Sequence, residues 1–136
     1  MKSLEKLIVR GEKSPFYQLL GIKIEEVKDG FARLSMEAEN KHKQFYGTVH
    51  GGILATLADS AAAWAILGKK NAEGNPVTVE MKINYLQPVC SGEVVAEARN
   101  VHEGSRIFVS DVEIKNEGTL VAKSLVTYYL VKDDQT

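Results

Sequence analysis

The chain of 136 residues holds one cysteine, Cys90, so no disulfide can close within it and no cysteine-based metal cluster can form. A reducing, cytoplasmic setting is the expectation. Cys90 stands in a turn beside Ser91-Gly92, with no histidine near it in sequence, and is read as a bystander. No charge of one sign dominates: 17 Lys and Arg stand against 18 Asp and Glu, for a net charge of -1. With no global positive field to hold a phosphate backbone, no nucleic-acid partner is expected. Long apolar runs are scarce too. The first ten residues scatter charges among Leu4, Leu7 and Ile8 and lack the unbroken stretch of a secretory signal. The longest run, residues 53–68, contains Asp59 and is short for a bilayer span, so no membrane partner is expected. The three prolines are dispersed at 15, 76 and 88, and no repeat, linker or low-complexity tract appears. The absence of a Gly-x-Ser-x-Gly elbow, a Walker loop and a Gly-x-Gly-x-x-Gly fingerprint excludes the common serine hydrolases and nucleotide-binding folds. His42, in a polar loop, and His102, near a strand end, lack partners at ligand spacing, so no metal is expected. No cofactor is expected either.

What is present is a globular composition, 44% apolar and 26% charged, in a length that fits a single domain spanning residues 1–136. Leu4, Leu7 and Ile8 have the spacing of one helix face, predicting a helix over 3–10. Ser14-Pro15 and Gly21 bracket a second short helix near 15–20. From Ile22 the period becomes two, with a Lys28-Asp29-Gly30 turn, which predicts a hairpin. Residues 40–50 read as a loop. Gly51 to Gly68 predicts one long Ala-rich helix, enclosed on most sides because it is apolar nearly all round. Four β-type stretches follow, near 77–87, 93–102, 106–115 and 119–131. Their short connections predict an antiparallel meander and hence an α+β layout with one helix buried against a curved sheet.

Two features carry chemistry. At His50-Gly51-Gly52 a helix begins, and unsatisfied N–H groups there present the positive end of a dipole to an anion or a carbonyl oxygen. The same glycines are equally compatible with a plain tight turn. His50 is either a general base or a residue that fixes the loop by hydrogen bonding. Asp59 lies two turns into an apolar helix, among Ala55, Leu57, Ala58, Ala62 and Ala63, where a carboxylate is costly unless it does chemistry or is hydrogen-bonded. Desolvation there would raise its pKa and improve it as a base.

The strings Gly47-Thr-Val-His50-Gly51-Gly52, Leu57-Ala58-Asp59 and Val79-Glu-Met-Lys-Ile-Asn-Tyr85-Leu-Gln-Pro88 resemble the hotdog-fold thioesterases of the phenylacetate-degradation type, over almost the whole chain. The resemblance implies an α+β hotdog fold, one long central helix wrapped by a curved antiparallel sheet of five or six strands. It implies an acyl-CoA thioesterase that hydrolyses an aryl- or fatty-acyl-CoA substrate to free acid and CoA. Carried over residue by residue, it makes the Gly51 N–H the polariser of the thioester carbonyl and Asp59 the nucleophile or general base. Gln44 and Thr78 then position water, and His50 completes the catalytic set. Gly52, Asn84, Tyr85, Pro88, Gly104, Ser105 and Arg106 match segments that contact substrate and CoA. For Arg106 a phosphate contact and a solvated strand-start arginine are both open. Gln44 stands where this type commonly has Asn and matches a related branch acting on hydroxybenzoyl-CoA. That branch often has Glu and a hydroxyl one turn later, where this chain has Asp59 and Ala63. The family builds its site across a dimer, so a homodimer or homotetramer is implied. The alternative is a non-catalytic acyl-CoA sensor, against which the acid and the Gly-Gly pair argue. Trp64, Phe45 and Tyr46 either line an aryl pocket or pack in the core or an interface.

Overall fold

The computed structural model describes residues 3–69 and 73–132. Two short helices come first, α1 (Leu4–Glu12) and α2 (Pro15–Leu20). Ser3 caps α1 by accepting from the Lys6 N–H at 3.3 Å, and Gly21 ends α2 in the left-handed region at φ 78°. Strands β1 (Lys23–Lys28) and β2 (Phe31–Ala38) form the expected hairpin. The long helix α3 (Gly51–Leu67) follows, then β3 (Asn75–Tyr85), β4 (Gly92–Glu103), β5 (Ile107–Asn116) and β6 (Thr119–Val131). All six strands join one antiparallel sheet in the order β1-β2-β4-β5-β6-β3, and α3 packs against every one of them. This is the hotdog architecture.

The order corrects the expected meander, which holds only for β4-β5-β6. Residues 86–91 do not turn β3 back on itself. The Leu86 N–H donates to the Val121 carbonyl and the Val89 carbonyl accepts from the Val49 N–H, both at 2.8 Å. Pro88 supplies no ladder donor. The segment therefore crosses past the start of α3, and β4 pairs with β2 instead. β3 is left as an 11-residue edge strand, with Val77 and Val79 exposed.

The loop expected over 40–50 contains a 3-10 turn, Asn40–His42, and His42 is buried, not part of a polar loop. Its Nδ1 accepts from the Glu39 N–H at 2.9 Å and its Nε2–H donates to the Leu20 carbonyl at 2.8 Å, so both ring nitrogens are satisfied inside the fold. The core lies between α3 and the sheet and includes Leu34, Met36, Leu57, Ile66, Ile114 and Leu130. Each such side chain contributes about 1.5–3 kcal/mol by burial. α3 is not evenly enclosed. Leu54, Leu57, Ala58, Ala61, Ala62 and Ala65 are buried, whereas Gly52, Ala55, Thr56, Asp59, Ser60 and Ala63 form a partly exposed stripe at helical spacing. Among the described residues no helix is long and apolar enough to cross a membrane.

Candidate active site

His50 is the N-cap of α3. Its extended backbone turns the imidazole over the helix end, where Nδ1 accepts the Gly52 N–H at 2.8 Å, and its carbonyl accepts the Ile53 N–H at 2.9 Å. Among the described residues no acceptor takes the Gly51 N–H. The first amide of α3 thus keeps its donor for an incoming group, at the positive end of a 17-residue helix. Gly51 lies against Tyr85, whose hydroxyl donates to the Gly51 carbonyl at 2.9 Å. A Cβ at position 51 would stand 3.1 Å from the Tyr85 ring, so glycine here is a matter of space.

Gly51 opens onto a cleft of about 480 Å³ whose lining includes Gln44, Tyr46, Thr48, Tyr85 and Pro88. Gln44 is held at its rim by donating from Nε2 to Thr48 Oγ1 at 2.6 Å. The structure therefore brings Gln44, Gly51, Tyr85 and Pro88 together on one cleft. Tyr46, one of the aromatics weighed for an aryl pocket, lines this cleft, and so does Thr48, which the sequence did not single out. Its position in the Phe45-Tyr46-Gly47-Thr48 loop, just before the helix start, was the available signal. Phe45 points into solvent at 98% exposure, and Trp64 is core, donating from Nε1 to the Tyr17 hydroxyl at 3.1 Å.

Asp59 is half-buried on the open stripe of α3. Thr78 Oγ1 on β3 donates to its Oδ1 at 2.8 Å, as expected of a hydroxyl near the acid. A second donor went unnoticed in the sequence: Tyr128 on β6 reaches the same Oδ1 at 2.8 Å and the Asp59 carbonyl at 2.6 Å. Tyr128 shares its strand face with Val126 and Leu130, and a hydroxyl on a core-facing position needs a partner, which was the missed signal. Burial pushes the Tyr128 phenol well above its ordinary value; a hydrogen bond with Thr78 opposes this and Asp59 reinforces it. Tyr17 is likewise raised, first by burial, against hydrogen bonds with Ser60 and Trp64, with Asp59 adding to the rise. Both phenols stay protonated and act as neutral hydrogen-bonding groups.

Gly51 and Asp59 are eight residues apart on one helix, about 12 Å along its axis. A single thioester carbonyl cannot touch both within one chain. The turn carrying Gly104, Ser105 and Arg106 lies elsewhere again. The Lys69–Glu103 pair at 2.9 Å and the Asn100 bond to the Ala65 carbonyl at 3.3 Å fasten that end of β4 to the far end of α3. Arg106 Nη1 donates to the Tyr129 hydroxyl at 3.3 Å. Asn84 is exposed on β3 opposite Lys123.

Residues 46–123 match the family profile described as the thioesterase superfamily. The chain belongs to the thioesterase superfamily. It is a thioester hydrolase. Among relatives, acyl-coenzyme A thioesterase 13 of Homo sapiens is 32% identical over 120 residues, covering 85% of this chain and 84% of that one. The E. coli PaaI protein from the phenylacetic acid degradation operon superposes with a TM-score of 0.84 at 26% identity, covering 93% of this chain and 91% of that one. A thioesterase structure from Streptococcus pneumoniae TIGR4, determined with coenzyme A, gives a TM-score of 0.75 at 29% identity, covering 82% and 86%.

Proposed function

We propose that this hydrolase acts on acyl-CoA thioesters, with an aryl or fatty acyl group, in a site formed between two copies of the chain. The observation that carries the reading is the Gly51 N–H, held free by the His50 cap at the mouth of a cleft. It donates to the thioester oxygen as that oxygen gains charge, and the helix dipole adds to the effect. Asp59 of the partner subunit serves as base toward water, or attacks the carbonyl itself to form a mixed anhydride that water then hydrolyses. The C–S bond breaks, CoA leaves as the thiolate and is protonated, and the free acid departs. Gln44 and Thr78 orient the water or the carbonyl.

The exposed β3 edge supports this division of labour, because it offers a place for two copies to pair about a two-fold axis. Such a pair sets the two α3 helices antiparallel, so the start of one faces the middle of the other. The same symmetry turns the 104–106 turn of one copy toward the Gly51 end of its partner, where Arg106 serves the CoA phosphates. The dimer is the minimal unit, and a tetramer pairs two of them.

The experiment is complementation. Asp59→Ala and Gly51→Val chains, each inactive alone on phenylacetyl-, hydroxybenzoyl- and octanoyl-CoA, are unfolded, mixed in equal amounts and refolded. Half the dimers are mixed and each keeps one intact site, so about one quarter of wild-type activity returns. Activity retained by Asp59→Ala alone, or none restored on mixing, rejects the site as described. Binding of the thioesters without turnover by the wild-type chain is the result a sensing module would give.

A further inference from the structure

Asp59 stands on α3 but is gripped from the sheet. Thr78 and Tyr128 are register partners across β3 and β6, and both hydroxyls end on the same carboxylate oxygen, Oδ1, at 2.8 Å. Among the described residues no donor reaches Oδ2. Tyr128 is 3% exposed, next to Phe108 on β5, and a phenylalanine would fill that space equally well. What the hydroxyl adds is its single proton, shared between two Asp59 oxygens, the carboxylate Oδ1 and the backbone carbonyl of the same residue.

We propose that Tyr128 is a positioning residue for the reaction: with Thr78 it pins Oδ1 and sets the plane of the carboxylate, leaving Oδ2 as the oxygen that meets water or the thioester. The proposal rests on the reading of Asp59 as the catalytic acid. An aspartate carboxyl otherwise turns broadly about χ2 and exchanges its oxygens, and a reacting oxygen displaced by about 1 Å can lose 100-fold in rate. Two donors from adjacent strands remove that freedom, because the β3–β6 ladder fixes their spacing. The second contact, to the Asp59 carbonyl, holds the helix turn that carries the acid at a set height above the sheet. Besides Tyr128, Tyr17 is the ionisable group electrostatically tied to Asp59, and both phenols are uncharged through the neutral range.

The test uses the full-length chain and the CoA thioester it turns over fastest among phenylacetyl-, hydroxybenzoyl- and octanoyl-CoA. Tyr128→Phe is expected to lower kcat about tenfold or more with KM within about twofold. The acid limb of kcat/KM is expected to move to higher pH, because the charged carboxylate has lost a donor. Site-specific 3-fluorotyrosine at 128, a stronger donor of nearly the same shape, moves that limb to lower pH and keeps the assay informative should the phenylalanine variant fold poorly. Unchanged kcat with an unmoved pH profile in either variant overturns the proposal. Asp59→Asn separates the two levels. If it keeps wild-type turnover, the reading of Asp59 falls; if it is inactive while position 128 is silent, only the role of Tyr128 falls.

Discussion

The imidazole of His50 accepts the Gly52 N–H at 2.8 Å, and this bond is what singles out Gly51. An N-cap satisfies the second and third amides of a helix and leaves the first. Here the first amide belongs to a glycine packed against Tyr85, at the edge of the cleft.

If His50 acts as a cap, an asparagine, which caps helices well, should replace it. His50→Asn is expected to keep kcat within about tenfold, whereas His50→Ala loses about 1 kcal/mol of stability. Steady-state kinetics and urea unfolding check this. A collapse of kcat in His50→Asn with the fold intact would return the histidine to the role of base.

Gly51→Ala places a methyl 3.1 Å from the Tyr85 ring. The ring is displaced or the helix start moves, and the oxyanion donor is no longer where charge develops. A fall in kcat on the order of 100-fold is expected, with the far-UV spectrum unchanged, since alanine is a better helix former than glycine.

The raised phenols of Tyr128 and Tyr17 make stability fall on the alkaline side. Burial holds both above the ordinary value of 10.0 in the folded chain, so above that pH the unfolded chain releases protons that the folded one retains. Their contribution is complete below about pH 10 and is lost as pH rises beyond it. Urea midpoints measured between about pH 8 and about pH 11 should decline, and Tyr128→Phe with Tyr17→Phe should flatten the decline.

Gly11 sits inside α1, where alanine would ordinarily stabilise by about 1 kcal/mol. Its Cβ would fall 2.3 Å from the Trp64 ring and 3.1 Å from Ile24 Cδ1. Overpacking of this kind costs about 1–3 kcal/mol, so Gly11→Ala should lower the melting temperature. Trp64→Phe, which shortens the ring that is struck, should make the same substitution less harmful, a coupling that a double-mutant cycle measures.

Much of the fold was legible because it is locally encoded. The αL glycine after Leu20, the Lys28-Asp29-Gly30 turn and the Ala-rich run from Gly51 to Leu67 depend on neighbours within a few residues, and each stands where the sequence placed it. The motif residues Gln44, Gly51, Tyr85 and Pro88 converge on one cleft, and Thr78 meets Asp59. The strand order was not legible. Whether β4 returns beside β3 or crosses to β2 depends on where residues 86–91 find partners, and those are Val121 and Val49, far away in the chain.

By itself the amino-acid sequence determined that α3 exists and begins at a glycine pair. It also determined that Gly51 and Asp59 stand about 12 Å apart on it, because an α-helix spaces eight residues by fixed rise. The tertiary structure alone decided that β3 is an edge of the sheet and that Tyr128, 69 residues beyond Asp59, shares Oδ1 with Thr78. Helical spacing is local geometry. A hydroxyl arriving from another strand is a consequence of pairing, which hydrophobic burial selects among many registers and no short stretch of sequence states.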